Sequence, residues 1–386
     1  MKRISLLCAL LALLLAATAV LSGCAAQDKR VAVLVGDREI AMQQFKNAYQ
    51  NSLTYAAFYY DMSTDEGIEA YQDEILDSLI QSEMLLYQAD QAGIVLTDEE
   101  EAEAKAEGEE AYESFYNDFL EQAESAGASD VRAYANKLLT ETLVSNGLTV
   151  SQARQSYIDN ARNNRIIEKM QDAIFAEVEP TEEELRDMYE EELQAQKELF
   201  DETPSSYFTY ESSAAYGYSC IPLYVPDGFF RVRQILVADE ETANELHERI
   251  EAGEDFETLL SEYNIDPGMA GDDYLDGYLV GEGANYLSEF LEAALALEKE
   301  GDVSPVVESS SGYHIIKRMR DERSHVIEYE DEKETLDAYF TSLVKSEHFE
   351  EVLTGWMETE GLVVRYEELY RSVGKCCLLY TSDAAD

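Results

Sequence analysis

Phe229-Phe230-Arg231-Val232-Arg233-Gln234-Ile235-Leu236-Val237 and Gly312-Tyr313-His314-Ile315-Ile316-Lys317 bracket the stretch whose reading decides the fold. Both are short runs of branched and aromatic apolar residues, the composition of strands. Between them the pattern predicts a helix over 240–252, a second helix opened by Gly253-Glu254-Asp255-Phe256, and a loop at Asp266-Pro267-Gly268. A strand at Tyr278, a helix over 290–297 and a strand over 304–308 complete the set. Residues 229–320 thus read as a compact α+β domain.

Upstream, Val31 to Val35 form a short apolar strand that turns at Gly36-Asp37 into a helix carrying Phe45, Tyr49 and Leu53. Ser63-x-x-Glu66 opens a second helix with Ile68, Tyr71, Ile75, Leu79 and Met84 at helical spacing. Further capping boxes at Thr97-x-x-Glu100, Thr149-x-x-Gln152 and Thr181-x-x-Glu184 make residues 41–200 almost wholly helical. We read 24–200 as one helical domain and the Tyr- and Ser-rich stretch 201–228 as a linker whose aromatics either pack or stay exposed to hold clients. Residues 321–376 hold a long helix and a strand at 362–364 that return to the N-terminal lobe. The fold class expected is α+β: a mainly helical lobe with an α+β domain inserted in it.

The chain has 386 residues, 46% apolar, with 81 acidic against 28 basic side chains and a formal charge of -53. Nucleic acid is excluded as a partner, because phosphate binding needs a basic footprint. The acidic surface favours solubility and encounters with cationic unfolded chains, and the run from Asp98 to Glu110 reads as a solvated helix face.

At the N-terminus Lys2 and Arg3 precede an apolar run from Ile4 to Leu21 and then Ser22-Gly23-Cys24, the layout of a secretory signal over residues 1–23. Leu21-Ser22-Gly23-Cys24 resembles a bacterial lipobox, which implies lipidation of Cys24 and a chain held at the membrane outside the cytoplasm. An uncleaved anchor is the other reading of the same run. Residues 377–386 back-translate into a sequencing adapter and read as an artefact. With Cys8 in the signal and Cys24 lipidated, Cys220 stands alone, so no disulfide framework is expected. The four histidines, at 247, 314, 325 and 348, form no metal-ligand spacing.

The central domain resembles the parvulin-type prolyl isomerases over about ninety residues. The shared landmarks are Arg-x-Ile-Leu-Val, Gly-x-Asp-Phe, Tyr-x-x-Asp-Pro, Ala-Leu-x-Leu, Gly-Asp-Val-Ser-Pro-Val and Gly-Tyr-His-Ile-Ile. Val-Gly-Asp-Arg-Glu-Ile and Pro180-Thr-Glu-Glu-Glu-Leu185 resemble the chaperone segment of PrsA-like and SurA-like foldases. The resemblance implies a peptidyl-prolyl cis/trans isomerase that assists unfolded or newly exported proteins at X-Pro bonds, with no cofactor. It implies Asp266, His314 and the residue at 234 as the polar network beside the amide, Ser309 and Ser311 near it, and Phe290 and Tyr286 lining the proline pocket. Taken singly, His314 reads as a satisfied core histidine, Asp266 as a loop cap before Pro267 and Phe290 as core.

Two positions depart from the family pattern. Gln234 stands where histidine is usual, and Tyr286 where methionine is common. Glutamine hydrogen-bonds but does not titrate near neutral pH, so the alternative function is a holdase chaperone with a degenerate parvulin domain. A solute-binding lipoprotein would need alternating strands and helices in two lobes, which 41–200 lack.

Overall fold

The computed structural model describes residues 28–145, 148–215, 220–269 and 276–375. The apolar leader, Cys24 and the last ten residues lie outside the described residues. Among the described residues no helix is long and apolar enough to cross a membrane. The chain divides into two units, Met1–Glu179 with Ser342–Asp386, and Pro180–Thr341.

The first unit opens with β1 (Val31–Val35) and β2 (Arg38–Ala41), antiparallel neighbours in which Val35 opposes Arg38. The sequence pattern predicts a helix directly after β1. Instead the two-residue Gly36-Asp37 connection returns the chain as a strand, as short Gly-containing turns do. Gly36 has a φ of 61°, and a Cβ there would lie 2.2 Å from the Tyr87 ring.

Five helices follow: α1 (Met42–Tyr59), α2 (Asp65–Ala92), α3 (Asp98–Ser125), α4 (Val131–Ser145) and α5 (Val150–Phe175). Thr97 with Glu100 and Thr149 with Gln152 close as reciprocal capping boxes, each satisfying two otherwise orphaned backbone amides. At α2 the cap is Thr64, whose hydroxyl accepts from Gly67 N, and not Ser63, whose hydroxyl is drawn to Asp61. Phe45, Leu76, Ile80, Met84 and Leu85 form the buried centre of the unit. A satellite core of Phe119, Ala123, Leu139 and Leu143 holds α3 and α4 together.

The second unit begins with α6 (Glu182–Glu202), closed by the Thr181–Glu184 box, and α7 (Ser206–Ala215). Residues 201–228, read as a linker, therefore contain a helix, and its Tyr207 is buried with Phe200, Val225 and Phe229. Next come β3 (Tyr224–Val225), β4 (Phe229–Val237), α8 (Glu240–Glu251) and α9 (Phe256–Tyr263). A 3-10 turn at Pro267–Met269, β5 (Tyr278–Val280), α10 (Ser288–Leu295), β6 (Val307–Ser309), β7 (Gly312–Glu322) and β8 (His325–Val326) follow.

The sheet has the order β5-β4-β7-β6, with antiparallel pairing throughout. Its two faces are covered by different helices, as the alternation of a strand dictates. Ile235, Val237 and Ile315 face α8 and α9, while Val232, Val280 and Ile316 face Phe290 and Ala294 of α10. The architecture is α+β.

The described residues close with α11 (Lys333–Met357), β9 (Val363–Arg365) and α12 (Glu367–Tyr370). Strand β9 pairs antiparallel with β1, Val364 opposite Leu34, and makes a three-stranded sheet β2-β1-β9. Phe349, Leu353 and Tyr370 join the first unit's core, and Gln72 Nε2 donates to Val373 O at 2.5 Å.

Candidate active site

The site lies on the α10 face of the four-stranded sheet, where two polar residues interrupt an apolar surface. Gln234 opposes Ile316 and His314 opposes Leu236, so Gln234 and His314 are diagonal neighbours on one face of an antiparallel pair. Both are buried, at 5% and 3% exposure. Buried polar groups need partners, and these have them.

Asp266 arrives from the loop after α9, and an asparagine sets its position. Strand β5 pairs with β4 only over Phe230 to Val232, which leaves the edge of β4 beyond that point open on one side. Asn264 fills the gap: its Oδ1 accepts from Leu236 N (2.9 Å) and Asp266 N (3.2 Å), and its Nδ2 donates to Asp266 O (2.9 Å). The Ile265 amide donates to Leu236 O at 3.0 Å. Asn264 and Ile265 thus stand in for a strand, and Asp266 is delivered beside Gln234.

A directed chain of hydrogen bonds results. Asp266, as a carboxylate, can only accept, so the Gln234 amide nitrogen donates to its Oδ2 (2.6 Å). That turns Gln234 Oε1 towards His314 Nδ1 (2.6 Å), which must donate the ring proton. His314 Nε2 is then an acceptor, and the Ser309 hydroxyl donates to it at 2.6 Å. Ser309 Oγ in turn accepts from the Ser311 backbone amide at 3.0 Å, across the tight turn between β6 and β7. Burial lowers the His314 pKa from the ordinary 6.5, while the charges of Asp266 and Glu289 pull it the other way.

Beside this chain stands an aromatic wall. Phe290 meets the His314 ring edge to face at 5.8 Å, and Tyr286 meets Phe290 at 5.4 Å. The Tyr286 hydroxyl donates to Leu279 O at 3.0 Å, and burial pushes its pKa up to about 12, so it stays protonated. One face of the sheet therefore presents an apolar aromatic surface next to an ordered polar chain that ends in a carboxylate.

Residues 234–320 match the model of the PPIC-type PPIase domain, and residues 2–104 that of the SurA-like N-terminal domain. The foldase protein PrsA of Clostridium botulinum is 25% identical over 300 residues, 77% of this chain and 74% of that protein. The chain carries a PPIC-type isomerase domain and a SurA-like N-terminal domain, and it is similar to the PrsA foldases. PrsA of Halalkalibacterium halodurans is 49% identical to it over 82 residues, 21% of this chain and 24% of the relative. The solution structure of NmPin, the parvulin of Nitrosopumilus maritimus, aligns at 32% identity over 25% of this chain and 99% of that one, with a TM-score of 0.22.

In this parvulin-type domain Asp266, Gln234, His314 and Ser309 lie in one hydrogen-bonded line, with Phe290 and Tyr286 against its middle. Ser311 contributes its backbone amide, and its side chain is exposed. Two participants were not singled out from the sequence. Asn264 reads as an ordinary residue after a helix, and Tyr278 as a strand residue, yet the Tyr278 hydroxyl donates to Asp266 Oδ2 at 2.9 Å. Asn264 did carry a local signal: an asparagine two residues before an aspartate in a helix-terminal loop suits an Asx-type turn.

Proposed function

We propose that the chain is an extracytoplasmic foldase, tethered by lipid on Cys24, that catalyses cis/trans rotation of X-Pro bonds in newly exported proteins. The observation that supports it best is the adjacency of the Phe290–Tyr286 wall to the chain Ser309–His314–Gln234–Asp266. The uncatalysed rotation faces a barrier of about 18–20 kcal/mol and takes tens to hundreds of seconds. Lowering it needs neither a nucleophile nor a metal.

The proline ring would seat against Phe290 and Tyr286, which removes water from one side of the amide. The planar amide carries resonance charge on its oxygen and the twisted amide carries less, so a fixed negative charge nearby disfavours the planar state more. Asp266 supplies that charge. Gln234 and His314 hold the line in one orientation without transferring a proton, so a glutamine at 234 is compatible with turnover.

Proton NMR exchange in a proline tetrapeptide tests the reading, using the segment from Ala25 to Lys375 beside Gln234→His and His314→Ala. Acceleration by the unmodified protein, lost in His314→Ala, is the expected result. No acceleration, restored by Gln234→His, would mean a holdase with a silenced domain. Incorporation of labelled fatty acid, abolished by Cys24→Ala, is expected for the anchor.

A further inference from the structure

Tyr278 belongs to both halves of the site. Its ring stands 5.6 Å from Tyr286 and 6.3 Å from Phe290, so it forms part of the apolar wall. Its hydroxyl donates to Asp266 Oδ2 at 2.9 Å, the same oxygen that receives the Gln234 amide, while Asp266 Oδ1 accepts from Gly268 N at 2.9 Å. Three donors thus converge on one carboxylate.

The backbone is shaped to allow this approach. Tyr278 is paired with Val232 at the end of β5, which fixes where its ring can reach. Opposite it is Gly268, where a Cβ would come within 1.9 Å of the Tyr278 hydroxyl and 3.2 Å of Asp266 Oδ1. A side chain at 268 would separate the phenol from the carboxylate. Plain packing of an aromatic ring requires neither the hydroxyl nor the cleared space.

We propose that Tyr278 is a positioning residue of the isomerase site, acting through Asp266 to fix the carboxylate and so the direction of the Gln234–His314–Ser309 line. The proposal rests on the isomerase reading for its kinetic effect. Because the Tyr278 ring also touches the proline wall, occupation of that wall is coupled to the placement of the charge. The charged groups facing His314 are Asp266 and Glu289, and a donor removed from Asp266 leaves the field at His314 more negative.

The test is a double-mutant cycle of Tyr278→Phe and Asp266→Asn, read in two ways. In peptide exchange, Tyr278→Phe is expected to lower kcat/KM roughly three- to tenfold with KM little changed, as for one lost hydrogen bond to a charged group. In the Asp266→Asn background the same substitution should change nothing. In NMR titration of the His314 ring, Tyr278→Phe should raise the pKa when Asp266 is present and leave it unmoved when Asn replaces it. Equal effects in both backgrounds, or a His314 titration indifferent to Tyr278→Phe, would overturn the proposal. A chain without turnover would refute the isomerase reading, and the titration would still decide whether Tyr278 acts through Asp266.

Discussion

Gln234 Oε1 lies 2.6 Å from His314 Nδ1, across the two central strands and beneath the aromatic wall. That contact makes the glutamine a relay of orientation: its other end is fixed by Asp266, so the imidazole is held in a single tautomer. Replacing Gln234 by leucine removes partners from two groups at once. The expected loss is about 1–3 kcal/mol of stability, the cost of stranding a buried polar group, measured by urea unfolding. Activity should fall further than this destabilisation alone explains, since His314 is then free to invert its tautomer.

The pH dependence follows from His314, whose folded pKa lies below 6.5 because burial disfavours the cation. Between that lowered value and 6.5 the unfolded chain binds more protons than the folded one, so stability rises with pH across this window. The contribution is fully present above pH 6.5 and is lost as pH falls towards the folded pKa. Turnover should follow the same limb, because a protonated Nε2 no longer accepts from Ser309. A kcat/KM profile that is flat above neutrality and declines in acid, with the decline absent in His314→Gln, is the expected result.

Gly268→Ala is expected to displace the Tyr278 hydroxyl. The substitution meets no positive-φ penalty, so its cost is overpacking of about 1–3 kcal/mol, read from the melting temperature. Circular dichroism of the folded variant should be unchanged while kcat/KM drops.

Tyr370 is fully buried against Phe45, ring centroids 5.6 Å apart, and its hydroxyl has no hydrogen-bond partner among the described residues. Tyr370→Phe removes a stranded polar atom and leaves the ring in place. It should raise stability by about 1 kcal/mol in denaturant unfolding. A loss of stability would mean that the hydroxyl has a partner.

The strands and helices of the second unit were legible because each has a local cause. Short runs of branched and aromatic apolar residues mark β4 and β7, and Asp255 caps the helix that follows it. His314, Asp266 and Phe290 could be singled out through their motifs. Tyr278 could not, since nothing in the sequence places Gly268 opposite it. Packing of Tyr207 was one of the two readings open for 201–228, and the partners that decide it, Phe200 and Phe229, arrive from separate elements. The second strand at Arg38–Ala41 was missed for a similar reason: a four-residue strand leaves too short a pattern to separate from a helix start.

The pairing of β9 with β1 has a consequence in time. A chain that emerges from its N-terminus presents Val31–Val35 before the isomerase domain and Val363–Arg365 after it. Domains tend to fold as soon as their residues are available, whereas contacts between distant positions must wait. The catalyst is therefore complete while the lobe that opened the chain still lacks its final strand and Tyr370. For that interval the nascent foldase is itself a partly folded chain holding a finished isomerase domain.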